Sequence, residues 1–214
     1  MRRWYRFCRI WCRAYVGGLH FGRVFNQHLV PAEGPILVVS NHQSFFDPVL
    51  VGYGLSRELD YMARDTLFRN PFFERLIRSL NAFPVRRGEV DVSAIKETLR
   101  RLKAGRAVLL FPEGTRTVDG RIHEFKPGLA MLARKAAVPV VPAVIDGAFE
   151  AWPRKSPVPR PLAPIHVYFG QPWTPEQIRS TEPEILVQQL HTQMVNMQHR
   201  VRQMAGRKPY NYTT

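Results

Sequence analysis

The stretch Ile36-Leu-Val-Val-Ser-Asn-His-Gln-Ser-Phe-Phe-Asp47 joins a short apolar run to a polar turn. The run from Ile36 to Ser40 is rich in aliphatic residues and predicts a buried strand. Asp47 precedes Pro48, and an aspartate followed by proline is typical of the start of a helix. His42 therefore lies at the carboxyl end of a predicted strand, where α/β domains place their functional clefts.

Strands and helices alternate on both sides of this stretch. Short apolar runs predict strands at 36–40, 59–63, 82–85, 107–111, 138–145 and 165–169. Helical periodicity predicts helices at 46–55, 72–80, 92–104 and 128–136, and a closing amphipathic helix at 182–204. Such alternation predicts an α/β fold with a largely parallel central sheet flanked by helices.

Length and charge narrow the class of protein. With 214 residues, 45% of them hydrophobic, the chain can form one catalytic domain with a sizeable core. The formal net charge of +14 predicts attraction to a polyanion, either nucleic acid or anionic lipid. Cys8 and Cys12 fit neither a disulfide framework nor a zinc ribbon, which favours a reducing compartment. No run of about 18 apolar residues occurs, so we expect neither a transmembrane nor an exported protein.

Residues 1–30 predict an amphipathic helical region at a membrane surface. In a helix over residues 2–16, one stripe is basic and the opposite face is aromatic. The stripe holds Arg2, Arg6, Arg9 and Arg13, and the aromatic face holds Trp4, Phe7, Cys8, Trp11, Ala14 and Tyr15. Tryptophan and tyrosine favour the headgroup boundary, and arginines can pair with lipid phosphates. The alternative is a helix whose aromatic face packs on its own domain while the arginines face water.

The rest of the chain divides into a domain and a tail. Apolar residues around Phe21, Val24 and Phe25 suggest a helical hairpin packed on the domain. We expect one catalytic domain over residues 31–205 and a flexible tail over 206–214. Residues 152–164 contain five prolines and predict an extended surface loop.

His42 and Asp47 are suited to act as a base and the acid that orients it. A carboxylate on one imidazole nitrogen fixes the tautomer, while the other nitrogen removes a proton from a substrate alcohol. This is the base-and-orienter half of a serine hydrolase triad. No Gly-x-Ser-x-Gly elbow occurs and both cysteines lie in the basic helix, so the pattern favours a nucleophile supplied by the substrate. The spacing alone also fits chance, with Asp47 acting as a helix cap.

A second polar turn supplies groups suited to a phosphate. The apolar run 107–111 leads into Pro112-Glu-Gly-Thr-Arg116. Gly114 permits a tight turn, and Arg116 offers a planar, permanently charged fork. Glu113 repels a phosphate unless it binds a substrate hydroxyl or holds an arginine in place, and we favour the arginine.

The two turns resemble signature blocks of a known family. Asn41-His-Gln-Ser-Phe-Phe-Asp47 and Phe111-Pro-Glu-Gly-Thr-Arg116 resemble the first and third blocks of the glycerolipid acyltransferase family, which includes 1-acylglycerol-3-phosphate acyltransferases. Phe83-Pro-Val-Arg-Arg87 resembles the second block, and Val138-Pro-Val-Val-Pro142 resembles the fourth. The four blocks follow the family's order over residues 36–145.

The match is incomplete at the second block, whose arginine binds substrate phosphate in the family. An acid usually precedes that arginine, whereas this chain has Arg86 before Arg87. Arg87 is the better match, and a shift by one residue stays open. Lys126, in Phe125-Lys-Pro-Gly128, resembles a further lysine near the phosphate site, with a solvated lysine as the alternative.

The resemblance implies a phospholipid-biosynthetic acyltransferase attached peripherally to the cytoplasmic face of the membrane. It would transfer an acyl group from acyl-CoA or acyl-carrier protein to the lysophospholipid 1-acylglycerol 3-phosphate, giving phosphatidate. The implied catalytic residues are His42 and Asp47, and the implied phosphate-binding residues are Arg87, Glu113, Gly114, Thr115 and Arg116. The expected partner surface is an anionic membrane, and no cofactor, metal or nucleic acid is expected.

Three other functions stay open at this stage. The acceptor can be another lyso-lipid or glycerol 3-phosphate. The same histidine can activate water in a lipid hydrolase. A basic, non-enzymatic lipid- or nucleic-acid-binding protein also fits the net charge.

Overall fold

The computed structural model describes residues 1–86, 91–154, 156 and 158–212. Arg87, which the resemblance assigns to phosphate binding, lies outside the described residues. So do Lys155 and Pro157 of the proline-rich loop.

Within the described residues, seven strands form one sheet. They are β1 (Arg23–Phe25), β2 (Ile36–Ser40), β3 (Leu59–Arg64), β4 (Ala82–Val85), β5 (Ala107–Leu110), β6 (Val140–Asp146) and β7 (His166–Phe169). Their order is β1-β7-β6-β2-β5-β3-β4. Strands β2 to β6 run parallel to their neighbours in this group, and only the β6–β7 pairing is antiparallel. The predicted α/β fold with a largely parallel sheet is confirmed.

Helices cover both faces of the sheet. They are α1 (Arg3–Leu19), α2 (Asp47–Gly54), α3 (Pro71–Ser79), α4 (Val92–Lys103), α5 (Gly128–Ala136), α6 (Ala148–Ala151), α7 (Pro175–Ser180) and α8 (Pro183–Met204). Helices α4, α5 and α8 bury apolar residues such as Leu102, Leu132 and Leu190 on one face. Helices α1 and α2 bury Val16 and Leu50 on the other.

Strand β2 lies at the centre of the sheet and carries the His42 turn, which we define as residues 41–46. Ile36, Leu37, Val38 and Val39 are each 0% exposed, as expected for a parallel strand covered on both faces. The predicted strand 36–40 and helix 128–136 are confirmed at both ends. Strand β6 begins at Val140, later than predicted, because Pro139 has no N–H to donate to the ladder.

Helix α1 contacts the domain through the buried Tyr5 and Val16 and through several of its arginines. Arg9 Nη1 donates to the carbonyl of Leu55, and Arg13 Nη2 donates to that of Tyr53 over 3.3 Å. These carbonyls lie at the end of α2, where intrahelical donors run out and positive charge is favoured. Arg2 Nε pairs with Glu58 Oε2 at 3.2 Å. Three arginines of the predicted basic stripe thus contact the protein itself, and their pairing with lipid phosphates stays a prediction.

The aromatic face of α1 is exposed. Trp4, Phe7 and Trp11 are 47%, 52% and 64% exposed, and the rings of Phe7 and Trp4 are stacked. The alternative in which this face packs on the domain is therefore wrong. Among the described residues, no helix is both long and apolar enough to cross a membrane.

The helical hairpin expected after α1 is also wrong. The helix ends at Leu19, Phe21 adopts a φ of +46°, and Arg23–Phe25 pairs with β7 in parallel register. In the strand, main-chain N–H and C=O groups of Arg23–Phe25 pair with β7. A second helix of only three residues would leave these groups without partners.

The segment expected to be a flexible tail is bound to the domain. Arg207 Nη1 lies 2.8 Å from Asp146 Oδ2, and the hydroxyl of Tyr212 accepts from the Ile122 N–H at 2.8 Å. Both tyrosines of the segment, Tyr210 and Tyr212, are partly buried. The sequence did not reveal these contacts because the partners, Asp146 and Ile122, lie 61 and 90 positions away along the chain. Residues 213 and 214 lie outside the described part of the chain.

Candidate active site

Two polar turns meet at the carboxyl ends of neighbouring strands. The His42 turn follows β2, and the Glu113 turn, residues 111–117, follows β5. Val39 of β2 is paired with Leu110 of β5, so the two turns leave the sheet side by side. The N–H of His42 donates to Glu113 Oε1 at 2.8 Å, and the N–H of Thr117 donates to the His42 carbonyl at 2.8 Å. The structure thus brings together the two motifs that the sequence separates.

His42 and Asp47 form a buried pair. His42 Nδ1 lies 2.7 Å from Asp47 Oδ2, and the two residues are 6% and 0% exposed. The same oxygen accepts the main-chain N–H groups of Gln43 and Ser44. Asp47 therefore folds back on the turn that precedes it. The expectation that it caps its helix is wrong, because Phe46 is the N-cap residue and no side chain caps this end.

The hydrogen bond to Asp47 fixes the orientation of the imidazole. An ionised carboxylate can only accept, so Nδ1 carries the proton and Nε2 is the ring's acceptor. The ring stacks on Phe111 with 4.1 Å between centroids and 14° between planes. Among the described residues, no serine or cysteine side chain is hydrogen-bonded to His42. The arrangement provides a base with an orienting acid and no protein nucleophile.

Asn41 ties the His42 turn to strand β6. Its amide nitrogen donates to the Ile145 carbonyl at 2.9 Å, and its amide oxygen accepts the Ile145 N–H at 2.8 Å. Because both amide atoms are used on one main-chain unit, the side chain acts as a bridge between β2 and β6. The turn is consequently fixed on the side opposite the Glu113 turn.

Glu113 is a buried support of the two turns. It is 4% exposed, and its oxygens accept the N–H groups of His42 and His123 at 2.8 and 3.1 Å. Burial raises the pKa of Glu113 to about 8, and the nearby charges of Asp47 and Asp119 act in the same direction. These contacts assign Glu113 to holding the backbone at His42. Its predicted role in holding an arginine stays a prediction.

Gly114 and Arg116 shape the outer side of the Glu113 turn. Gly114 has a φ of +71°, which lets the backbone reverse without strain. The Arg116 guanidinium lies 3.5 Å from the ring centre of Phe45, over its face. Phe45 is itself 48% exposed and lies against Trp152 at 5.2 Å between centroids. The ring thus gives the guanidinium a rigid platform at the edge of the His42 turn.

Further cationic side chains lie beside this turn. A Cβ atom added to Gly114 would lie 3.8 Å from Lys126 Cε, which places the exposed lysine next to the turn. Arg154 Nη1 donates to Thr115 Oγ1 at 3.4 Å. Arg154 belongs to the proline-rich loop, and its contact with Thr115 was not predicted because 39 positions separate the two residues. Lys126 and Arg154 therefore lie beside the turn that contains Arg116.

The described residues show no group of three or more His, Cys, Asp or Glu side chains arranged to hold a metal ion. Gln43, Thr117 and Phe45 contribute to the site but were missed from the sequence as individual residues. Gln43 and Phe45 lie inside the first block without a chemical signature of their own. Thr117 contacts the His42 carbonyl through its main-chain N–H, a group that any residue except proline provides.

The chain is similar in sequence to known acyltransferases. The family model described as acyltransferase matches residues 22–146. The 1-acyl-sn-glycerol-3-phosphate acyltransferase of Bacillus subtilis is 31% identical over 144 residues, covering 67% of this chain and 71% of that protein. The chloroplastic 1-acyl-sn-glycerol-3-phosphate acyltransferase BAT2 of Brassica napus is 32% identical over 132 residues, covering 61% of this chain but 38% of that protein.

A solved structure supports the same relationship. The crystal structure of the 1-acyl-sn-glycerophosphate acyltransferase PlsC from Thermotoga maritima superimposes with a TM-score of 0.76 at 26% identity. The superposition covers 95% of this chain and 80% of that one. The region that matches the family model contains the His42 turn, Asp47 and the Glu113 turn.

Proposed function

The chain belongs to the acyltransferase family, and we propose that it acylates the free hydroxyl of 1-acylglycerol 3-phosphate to give phosphatidate. The observation that carries the proposal is the buried His42–Asp47 pair, in which Nδ1 is bound to the carboxylate and Nε2 is the acceptor. The acceptor class rests on the names of the Bacillus subtilis and Brassica napus relatives.

The reaction follows from the chemistry of the pair. Nε2 of His42 removes the proton of the glycerol hydroxyl, and the hydroxyl oxygen attacks the thioester carbonyl carbon of the donor. The tetrahedral intermediate collapses, the C–S bond breaks, and the thiolate takes the proton from the imidazolium. Asp47 stabilises the imidazolium between these two steps. The thioester is already activated, so this proposal requires neither a cofactor nor a metal.

The acceptor phosphate would bind at the Glu113 turn. Arg116 and Thr115 lie within it, Lys126 lies beside it, and Arg154 reaches it from the proline-rich loop. Holding the phosphate there directs the free hydroxyl towards His42, and positioning of this kind can lower a barrier as much as proton transfer does. Arg87 is proposed as a further phosphate ligand from the sequence alone.

The donor is proposed to be acyl-CoA or acyl-carrier protein. Both present the acyl group as a thioester on the same kind of flexible arm. The proposed chemistry needs only that carbonyl next to His42, so it is compatible with either carrier.

The proposed site of action is an anionic membrane at the cytoplasmic face, to which the protein binds peripherally. The exposed aromatic face of α1 supports this proposal, because tryptophan and phenylalanine in an in-plane helix enter the headgroup boundary. The net charge of +14 adds long-range attraction to anionic lipid.

An acceptor panel tests the function. The purified protein is given one acyl-CoA with 1-acylglycerol 3-phosphate, glycerol 3-phosphate, a neutral monoacylglycerol or no acceptor, and both released thiol and product mass are measured. We expect thiol release with phosphatidate formation, and little release without an acceptor. Equal thiol release without acceptor would show a hydrolase, and no release with any phosphate-bearing acceptor would contradict the proposal.

A further inference from the structure

A segment that follows helix α8 touches the loop 117–123 behind the site. We call residues 207–212 the C-terminal strap. The hydroxyl of Tyr212 donates to Gln198 Oε1 on helix α8 and accepts the Ile122 N–H at 2.8 Å. Burial raises the pKa of Tyr212 to about 12, so its hydroxyl keeps its proton and can make both bonds at neutral pH. The strap thereby joins α8 to the loop 117–123.

The carbonyl of Gly120, in that loop, accepts hydrogen bonds from the side chains of two buried glutamines. Gln198 Nε2 donates to it at 3.0 Å, and Gln43 Nε2 donates to it at 2.8 Å. Both glutamines are 0% exposed, and the two donors use both lone pairs of the oxygen. Gly120 has a φ of +85°, and the Tyr210 hydroxyl occupies the space that a Cβ would need. The strap therefore contacts the loop directly at the residue whose carbonyl links the two glutamines.

Gln43 carries this link into the His42 turn. Its N–H donates to Asp47 Oδ2, which also binds His42 Nδ1. Its side-chain oxygen accepts the Phe149 N–H at 3.2 Å, so both ends of its amide are fixed. A continuous set of hydrogen bonds thus runs from Tyr212 through Gln198, Gly120 and Gln43 to the carboxylate that orients His42.

We propose that the C-terminal strap is a positioning element for the His42–Asp47 pair, with Tyr212 and Gln198 acting through the Gly120 carbonyl. The inference rests on the proposed acyl transfer only for its kinetic consequence. The strap lies outside residues 22–146, so the part of the chain that matches the family model does not contain it. Neither Tyr212 nor Gln198 contacts His42 or Asp47 directly. They keep the loop, and through it the His42 turn, in one arrangement.

The test compares Tyr212→Phe with Tyr168→Phe. Each substitution removes only a hydroxyl from a partly or fully buried tyrosine that contacts α8, since the Tyr168 hydroxyl accepts from Arg200 Nη1 at 3.2 Å. Within the part of the chain that the structure describes, Tyr168 has no side-chain hydrogen bond to the loop 117–123, so it serves as the control for general loss of stability. We expect Tyr212→Phe to lower kcat by about tenfold or more while the acceptor KM stays within about twofold. Tyr168→Phe should leave kcat unchanged.

Two further measurements make the result decisive. Amide hydrogen exchange at Ile122 should accelerate in Tyr212→Phe and not in Tyr168→Phe, and this readout does not depend on the identity of the substrate. Gln198→Leu should also lower kcat, and the double variant should be no worse than the poorer single variant, because both side chains act through one carbonyl.

The outcomes separate the two proposals. Unchanged kcat in Tyr212→Phe, or equal losses in both tyrosine variants, overturns the strap as a positioning element. Unchanged exchange at Ile122 overturns it as well. Absence of thiol release by the wild-type protein contradicts the proposed function instead, and leaves the exchange experiment to decide on the strap.

Discussion

Glu113 lies between two segments of main chain, with one N–H on each carboxylate oxygen, and is 4% exposed. Its chemistry is governed by burial, which raises its pKa from 4.5 to about 8. The Glu113 carboxyl group therefore loses its proton at a higher pH than exposed carboxyl groups do.

This shift predicts the pH dependence of stability. Because the folded state holds the proton more tightly than the unfolded state, the contribution is fully present below about pH 4.5 and is lost as the pH rises through about 8. We expect the free energy of unfolding of the wild-type protein to fall over this range relative to Glu113→Gln, by on the order of 3 kcal/mol. Urea denaturation at several pH values measures the difference. Parallel pH profiles of the two proteins would contradict the assignment.

The sequence pointed to the candidate site residues but to only part of their surroundings. His42, Asp47 and the 113–116 turn follow from short motifs placed after apolar runs. Gln198 and Gly120 could not be found in this way, because their contact joins parts of the chain 78 residues apart. The role of Glu113 was also hidden, since its partners are main-chain groups with no side-chain signature.

At the scale of elements, helix α1 shows what periodicity can and cannot predict. The spacing of arginines and aromatics correctly predicted a helix with two distinct faces. It did not predict which face meets the domain, because the carbonyls at the end of α2 that accept from Arg9 and Arg13 are distant in the chain. Strand β1 was missed because three residues are too few to show an alternating pattern.

The docking of α1 predicts a difference between two arginines. Arg9, which donates to the Leu55 carbonyl, should stabilise the helix on the domain, whereas Arg3 is exposed. Arg9→Met should lower the free energy of unfolding by about 1–2 kcal/mol, and Arg3→Met should change it little. Thermal and urea denaturation provide the measurement. Equal effects of the two substitutions would show that the arginine contact does not hold α1 in place.

At the scale of the whole molecule, the alternation of strand and helix was sufficient to predict the fold class. The edge of the sheet was not predictable, because β7 reverses direction after the proline-rich loop and β1 joins it from a distant part of the chain. The division into residues 1–30, 31–205 and 206–214 stays a prediction as a division into domains, although the contacts of α1 and of the strap bind both ends to the same body.

Membrane attachment is a property of the whole surface and can be tested on vesicles. Replacing Phe7 and Trp11 with serine should reduce cosedimentation with anionic phosphatidylglycerol vesicles without lowering stability, because both side chains are exposed. Ile185→Ser is the matched control, since Ile185 is 47% exposed on helix α8, which covers the other face of the sheet. Binding that is unchanged in the Phe7 and Trp11 variant would contradict attachment through α1.

In the proposed mechanism, His42 activates the acceptor's own hydroxyl. The most direct measurement is thioester turnover by purified wild-type protein and His42→Ala, each with and without 1-acylglycerol 3-phosphate, with circular dichroism and vesicle binding recorded on the same samples. We expect acceptor-dependent turnover in the wild type and a loss of about 10²-fold or more in the variant, with fold and vesicle binding retained. Substantial acceptor-dependent turnover by correctly folded His42→Ala would contradict it.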